Sequence, residues 1–295
     1  MSVAGAPRSF WEDVRAMGRE LDRERIAQSF ALCEGLDFPS AGTVAIEDLA
    51  YGPHERHRID LYRPQRDGSG RALLLFVHGG GYASGDKRMG PFFANLGRWA
   101  AGRNLVCATM NYRLAPDYGW PSAQDDIRAA IAWLAAHADH YGADASKLFL
   151  MGHSAGAGHS AAFSVSGSFE ASTLAGLILI SGTYDLLAAG KFGHASRALY
   201  YGDDESLYAT RSSAGFLKDL SCLVSVVVAE FDPPELQEQA LIALAALSSG
   251  SGPAPQLTRL LGHNHYTEIL SAGAEPGRQL HDALLHFITS VTTAS

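Results

Sequence analysis

Two short runs in this 295-residue chain carry residue types that could do chemistry. The first is Gly152-His153-Ser154-Ala155-Gly156. It follows an apolar stretch, Leu148-Phe149-Leu150-Met151, and precedes a segment rich in alanine and serine. Strand, sharp turn, then helix is the context a nucleophilic serine needs, because glycines on either side permit the turn and close strand–helix packing. The helix start behind it favours negative charge developing beside Ser154. A Gly-X-Ser-X-Gly run alone is common by chance, and its flanks are what raise it above a bland turn.

The second run, His78-Gly79-Gly80-Gly81-Tyr82, lies just after the apolar stretch Leu73-Leu74-Leu75-Phe76-Val77. Consecutive glycines let N–H groups converge on one point without Cβ interference. Together with the N–H of the residue after the serine, such donors can hold the oxyanion of a tetrahedral intermediate. Losing one donor of this kind costs about 10²–10³ in rate. A phosphate cradle is the rival account, but no Lys-Ser/Thr pair follows the glycines. The chemistry implied is acyl transfer through a serine.

The elements that must position these runs follow a rhythm. Residues 9–33 place Phe10, Val14, Met17, Leu21, Ile26 and Phe30 at helical spacing in a charged segment, which predicts one or two amphipathic helices. Residues 43–51 and 58–62 read as an antiparallel opening pair separated by turn residues. Buried strands are expected at 73–77, 104–110, 147–151, 174–180 and 223–229, with a weaker last one at 256–261. Helices are expected at 122–140, 234–248 and 275–291. This alternation implies an α/β fold, with a mostly parallel central sheet and helices on both faces. Residues 185–220 exceed what a crossover needs and read as a cap insert. The expected organisation is therefore an N-terminal helical cap segment at 1–40 and a catalytic domain at 41–295.

His78-Gly79-Gly80-Gly81-Tyr82, Asn111-Tyr112-Arg113-Leu114-Ala115-Pro116, Gly152-His153-Ser154-Ala155-Gly156 and the spacing between them resemble the hormone-sensitive-lipase-like carboxylesterases and the neighbouring arylformamidase-type (kynurenine formamidase-like) hydrolases of the α/β-hydrolase superfamily. The resemblance runs from about residue 45 to the C-terminus. It implies an α/β-hydrolase fold with a helical cap, and oxyanion donors at Gly80, Gly81 and Ala155. Hormone-sensitive-lipase relatives usually carry Asp before the serine; His153, with Gly85-Asp86-Lys87, leans toward the formamidase side.

In such hydrolases the acid and then the histidine follow the nucleophile along the chain. Asp232, in Glu230-Phe231-Asp232-Pro233-Pro234 past the strand at 223–229, is the first choice of acid. Glu230 and Asp185 are the alternatives. His265 in Gly262-His263-Asn264-His265-Tyr266 is preferred over His263 as the base. His78 is read as organising the glycine loop and His153 as packing under the turn, with Tyr82 and His153 bordering the substrate. His54, His57, His137 and His140 read as surface residues. Phe10, Trp11, Phe30, Phe192, Leu199, Tyr200 and Tyr201 are candidates to line an apolar acyl pocket.

Acidic residues outnumber basic ones 31 to 23, for a net charge of −8, which argues against a nucleic-acid partner. Hydrophobic residues at 47% and charged ones at 18% suit a sizeable core. Cys33, Cys107 and Cys222 suggest neither a disulfide framework nor a metal site, so no metal and no cofactor is expected. No apolar segment reads as a leader or a membrane span, which makes a cytoplasmic location the expectation. The expected partner is a small-molecule ester or amide, with a homodimer open. Hydrolysis of small apolar or aromatic carboxylic esters is the leading function. Arylformamidase activity is the alternative, and a non-catalytic binding protein of the same fold is the third.

Overall fold

In the computed structural model, residues 9–167 and 174–293 are described. The two N-terminal helices are α1 (Phe10–Met17) and α2 (Arg23–Glu34). Ser9 and Glu12 form a reciprocal capping box at the start of α1, and the Asp22 carboxylate accepts from the Arg25 N–H at 2.8 Å at the start of α2.

The strands are β1 (Thr43–Ala50), β2 (Arg58–Pro64), β3 (Arg71–Val77), β4 (Val106–Met110), β5 (Ala143–His153), β6 (Gly176–Ile180), β7 (Leu223–Phe231) and β8 (Gln256–Asn264). Among the described residues they form one sheet in the order β1-β2-β4-β3-β5-β6-β7-β8. β1 and β2 are antiparallel to each other, β2 is antiparallel to β4, and every pairing from β4 onward is parallel. The remaining helices are α3 (Phe92–Gly102), α4 (Ser122–His137), α5 (Ala155–Ser164), α6 (His194–Tyr201), α7 (Tyr208–Arg211), α8 (Pro234–Ser249), α9 (Thr267–Leu270) and α10 (Arg278–Thr293).

The apolar runs of the central strands serve two cores. Along β3, Leu73, Leu75 and Val77 face a cluster with α4, α5 and α8, while Ala72, Leu74 and Phe76 face one with α3 and α10. Leu148/Leu150 and Phe149/Met151 divide β5 in the same way. This two-sided burial is why these strands read as continuous apolar runs rather than alternating ones.

The expected elements are present, with the strands at 147–151 and 256–261 extended to His153 and Asn264. The helix expected from 275 begins as a 3₁₀ turn at Glu275–Gly277, and α10 proper starts at Arg278. α3 is an element that periodicity missed. Its Gly97 weakens helix propensity, yet a Cβ there would sit 2.2 Å from the Tyr62 ring, so the glycine lets the helix press onto β2. His57, expected at the surface, is buried and bonds Asp126 at 3.1 Å. Among the described residues no helix is long and apolar enough to cross a membrane.

The chain order departs to opposite sides of β3: β4 lies on one flank and β5 on the other. The loops leaving the carboxyl ends of β3 and β5 therefore diverge and open a crevice between them, the usual ligand position in an open α/β sheet. The glycine loop leaves β3 and the Ser154 turn leaves β5.

Candidate active site

Ser154 adopts φ 55° and ψ −123°, a left-handed conformation rare for a residue with a side chain. Such a residue stores about 1–3 kcal/mol and persists only where its surroundings hold it. Here its N–H donates to the Ile180 carbonyl at 2.9 Å, and its carbonyl accepts from Ala157 and Gly158 at 3.0 and 3.2 Å. The two flanking glycines are steric requirements. A Cβ on Gly152 would lie 2.3 Å from the Gly156 carbonyl oxygen, and one on Gly156 would lie 2.1 Å from that of Val77.

The turn delivers the Ser154 hydroxyl to His265, whose Nε2 lies 2.9 Å from Oγ. His265 Nδ1 lies 2.9 Å from Asp232 Oδ1. The other oxygen of Asp232 accepts from the Ser181 hydroxyl at 2.5 Å and the Ala229 N–H at 2.8 Å. Asp232 is fully buried, and these donors with the imidazole satisfy its charge. The alternatives are engaged elsewhere. Glu230 accepts from the Gly262 N–H at 2.7 Å, and Asp185 caps the turn after β6 through Leu187 and Ala188 N–H groups. His263 bonds the Pro276 carbonyl at 2.9 Å, and burial lowers its pKa to about 4.

The glycine loop lies across from this line. Gly80 has φ 139° and Gly81 φ 57°, and a Cβ on Gly80 would sit 2.0 Å from the Ser84 carbonyl oxygen. The N–H groups of Gly80, Gly81 and Ala155 have no acceptor among the described residues. His78 organises the loop: its Nδ1 bonds the Gly79 carbonyl at 2.7 Å, and its ring stacks on Tyr112 with centroids 4.5 Å apart. Burial lowers the His78 pKa to about 4, so the ring is neutral at pH 7.

Several supports were legible only in part. The Asn111 side chain accepts from the Lys87 N–H at 2.6 Å and donates to Asp86 at 2.8 Å. The Lys87 ammonium, itself buried, bridges Asp48 and Asp60 at 2.8 and 2.9 Å. Gly85-Asp86-Lys87, which the sequence connects with substrate class, is thus built into the scaffold under the loop. Arg56 reaches the Gly85 and Tyr112 carbonyls at 3.0 and 2.7 Å. Ser181 and Glu268 went unread altogether, since nothing in their local sequence points to the site.

Glu268 is fully buried beside His265 and Asp232. Its Oε1 lies 3.3 Å from His153 Nε2 and 3.9 Å from His265 Nδ1. Burial and the neighbouring Asp232 carboxylate push its pKa well above the ordinary carboxyl range. One ligand atom each from His153, His265 and Glu268 falls within 4.8 Å of the others. Both His265 nitrogens are already committed to Ser154 and Asp232, so a metal there would displace the hydrogen-bonded line.

Two cavities meet at Ser154. One, about 260 Å³, is bounded by Ile26, Phe30, Met89, Phe93, His153 and Leu270 together with the glycines. The other, about 450 Å³, includes Tyr82, Thr183, Phe192, Ser196, Arg197 and Leu236. Of the aromatic residues expected at an acyl pocket, Phe30 and Phe192 border these cavities. Phe10 and Trp11 instead pack on His263, Leu199 faces solvent, and Tyr200 is held by Gln124 at 2.8 Å. Tyr201 stands edge-on to Tyr82, behind the wall. Their hydrophobic pattern signals packing of the cap as well as it would a pocket.

This sheet order, with the strained serine after β5 and the histidine after β8, is the α/β-hydrolase fold. Residues 59–174 match the BD-FAE family. The chain is 36% identical over 117 residues to a probable carboxylic ester hydrolase, LipM, of Mycobacterium tuberculosis, covering 38% of this chain and 26% of that protein. It is 31% identical over 164 residues to a probable isoprenylcysteine alpha-carbonyl methylesterase of Arabidopsis thaliana, covering 52% and 33%. The matches thus span about a third or less of these relatives' length. Esterase B from Lactobacillus rhamnosis superposes with a TM-score of 0.77 at 16% identity, covering 97% of this chain and 96% of that one. An esterase from Pyrobaculum calidifontis gives 0.71 at 22%, covering 96% and 91%.

Proposed function

We propose that this protein is a serine carboxylesterase cleaving small apolar or aromatic esters through an acyl-enzyme. The observation that carries the reading is the hydrogen-bonded line Ser154–His265–Asp232, with both links at 2.9 Å, beside three unengaged N–H groups. The ester-hydrolase names of the relatives support it.

Ser154 Oγ attacks the ester carbonyl while His265 Nε2 takes its proton. Gly80, Gly81 and Ala155 donate to the oxygen that becomes negative. Asp232 holds the imidazole tautomer and stabilises its charged form. Collapse of the tetrahedral intermediate breaks the C–O bond, and His265 returns the proton to the departing alcohol. Water, activated by His265, then releases the acid and restores Ser154. Residues 9–40 and residues 185–220 act as the cap, closing the two cavities over the serine; residues 1–8 of the expected N-terminal cap segment lie outside the described residues.

The test is kcat/KM for p-nitrophenyl butyrate and for N-formylkynurenine on one preparation, with Ser154→Ala as the blank. Strong ester turnover that vanishes in Ser154→Ala is the expected result. A strong formamide preference would replace the reading by an arylformamidase, and activity surviving in Ser154→Ala would remove the nucleophile.

A further inference from the structure

Arg197 is only 2% exposed and borders the 450 Å³ cavity that also contains Ser154 and His265. Its two terminal nitrogens donate to the main-chain carbonyls of Phe192 and Gly190. Among the described residues its Nε, itself shielded from solvent, has no hydrogen-bond partner, and no carboxylate forms an ion pair with the guanidinium. A guanidinium carries five N–H donors and cannot shed its charge. Carbonyl dipoles offset that charge only in part, and a buried ion without a counter-ion is strongly unfavourable. Its charge opposes the rise that burial imposes on the phenol of Tyr82, which lines the same cavity.

A second feature has the same sign. The start of α6 borders the same cavity through Gly193 and Ser196, and its cap is a left-handed glycine whose position supplies no side-chain acceptor. A helix start presents free N–H groups and partial positive charge. The other cavity at Ser154, under α2, is walled mainly by apolar side chains. The two sides of the nucleophile thus differ in kind.

We propose that the Arg197 side of the site is a carboxylate-recognition subsite, so that the preferred substrates are esters carrying an anionic group on one side of the scissile bond and an apolar group on the other. The inference rests on the ester-hydrolase reading above and names the substrate class within it. The anion completes the charge of Arg197 and lies at the start of α6, and charge-assisted hydrogen bonds of this kind are short and directional.

The experiment uses two matched pairs of esters. In one, p-nitrophenyl glutarate monoester is compared with its primary amide; in the other, 4-carboxyphenyl butyrate is compared with 4-carbamoylphenyl butyrate. The intact protein is expected to favour the carboxylate member of at least one pair by about tenfold or more in kcat/KM, chiefly through KM, with the preference shrinking as salt rises. Arg197→Met is expected to erase that ratio and Arg197→Lys to keep part of it. No preference in either pair overturns the subsite. So does an equal fall of both members in Arg197→Met, which would mark the guanidinium as a buttress of the 190–193 loop. Calorimetric binding of the four esters to Ser154→Ala reads recognition without turnover. Carboxylate-selective binding in a protein that hydrolyses none of them would sustain the subsite while the esterase reading fell; turnover without selectivity would do the reverse.

Discussion

The Nε2 of His153 donates to the main-chain carbonyl of His265 at 2.9 Å. This single bond ties the turn that bears Ser154 to the loop that bears His265, across 112 positions of sequence. Burial and the nearby His265 ring hold the His153 pKa well below its usual value, which favours the neutral ring that makes this bond. His153→Leu is expected to lower kcat by about tenfold, in line with the roughly 1–3 kcal/mol that an unsatisfied buried acceptor costs. KM should move less. Steady-state kinetics on a small ester check this, and an unchanged kcat would deny the bond a positioning role.

Asp232 and Glu230 stand two residues apart at the end of β7, yet Asp232 faces His265 while Glu230 holds Gly262. Asp232→Asn is expected to cut kcat by about 10³–10⁴. Glu230→Gln should cost far less, and the same contrast should hold for His265→Ala against His263→Ala. Reversed ordering in either pair moves the corresponding role to the other residue.

Gly80 and Gly81 are not equivalent. Gly80→Ala would drive a methyl into the Ser84 carbonyl, whereas the Gly81 Cβ would meet Ser196 Oγ at 3.4 Å. Gly80→Ala is expected to lose about 10²–10³ in kcat as its donor is displaced, and Gly81→Ala noticeably less. Comparing the two variants by single-turnover acylation decides it.

Glu268 predicts a pH effect on stability. A carboxyl whose folded-state pKa lies well above its unfolded value of about 4.5 binds its proton more tightly in the folded protein. Its favourable contribution is complete below pH 4.5 and is lost as pH rises toward the folded pKa, at up to about 1.4 kcal/mol per pH unit. Glu268→Gln mimics the protonated acid and removes the dependence. Its denaturation midpoint should match that of the parent near pH 4.5 and exceed it increasingly toward neutrality. Parallel stability–pH curves would show that Glu268 is ionised in both states.

The cavity under α2 is expected to set a size limit on the apolar group of the substrate. Ile26→Trp, filling part of its roughly 260 Å³, is expected to shift the optimum across a series of p-nitrophenyl esters to shorter acyl chains. An unshifted optimum would place the acyl group on the Arg197 side.

Sequence by itself determined what depends on local chemistry. The apolar runs that became β3 and β5 and the glycines around Ser154 are short-range patterns, legible because a sharp turn or a doubly covered strand tolerates few residue types. α3 escaped because Gly97 serves Tyr62 on another element rather than its own helix. Only the tertiary structure decided which of Asp232 and Glu230 meets His265, since two carboxylates in one turn differ only in the direction the backbone aims them. The same holds for Ser181, Glu268 and Arg197. Their importance comes from burial beside groups far away in the chain, and desolvation is a property of the packed site that no local pattern records.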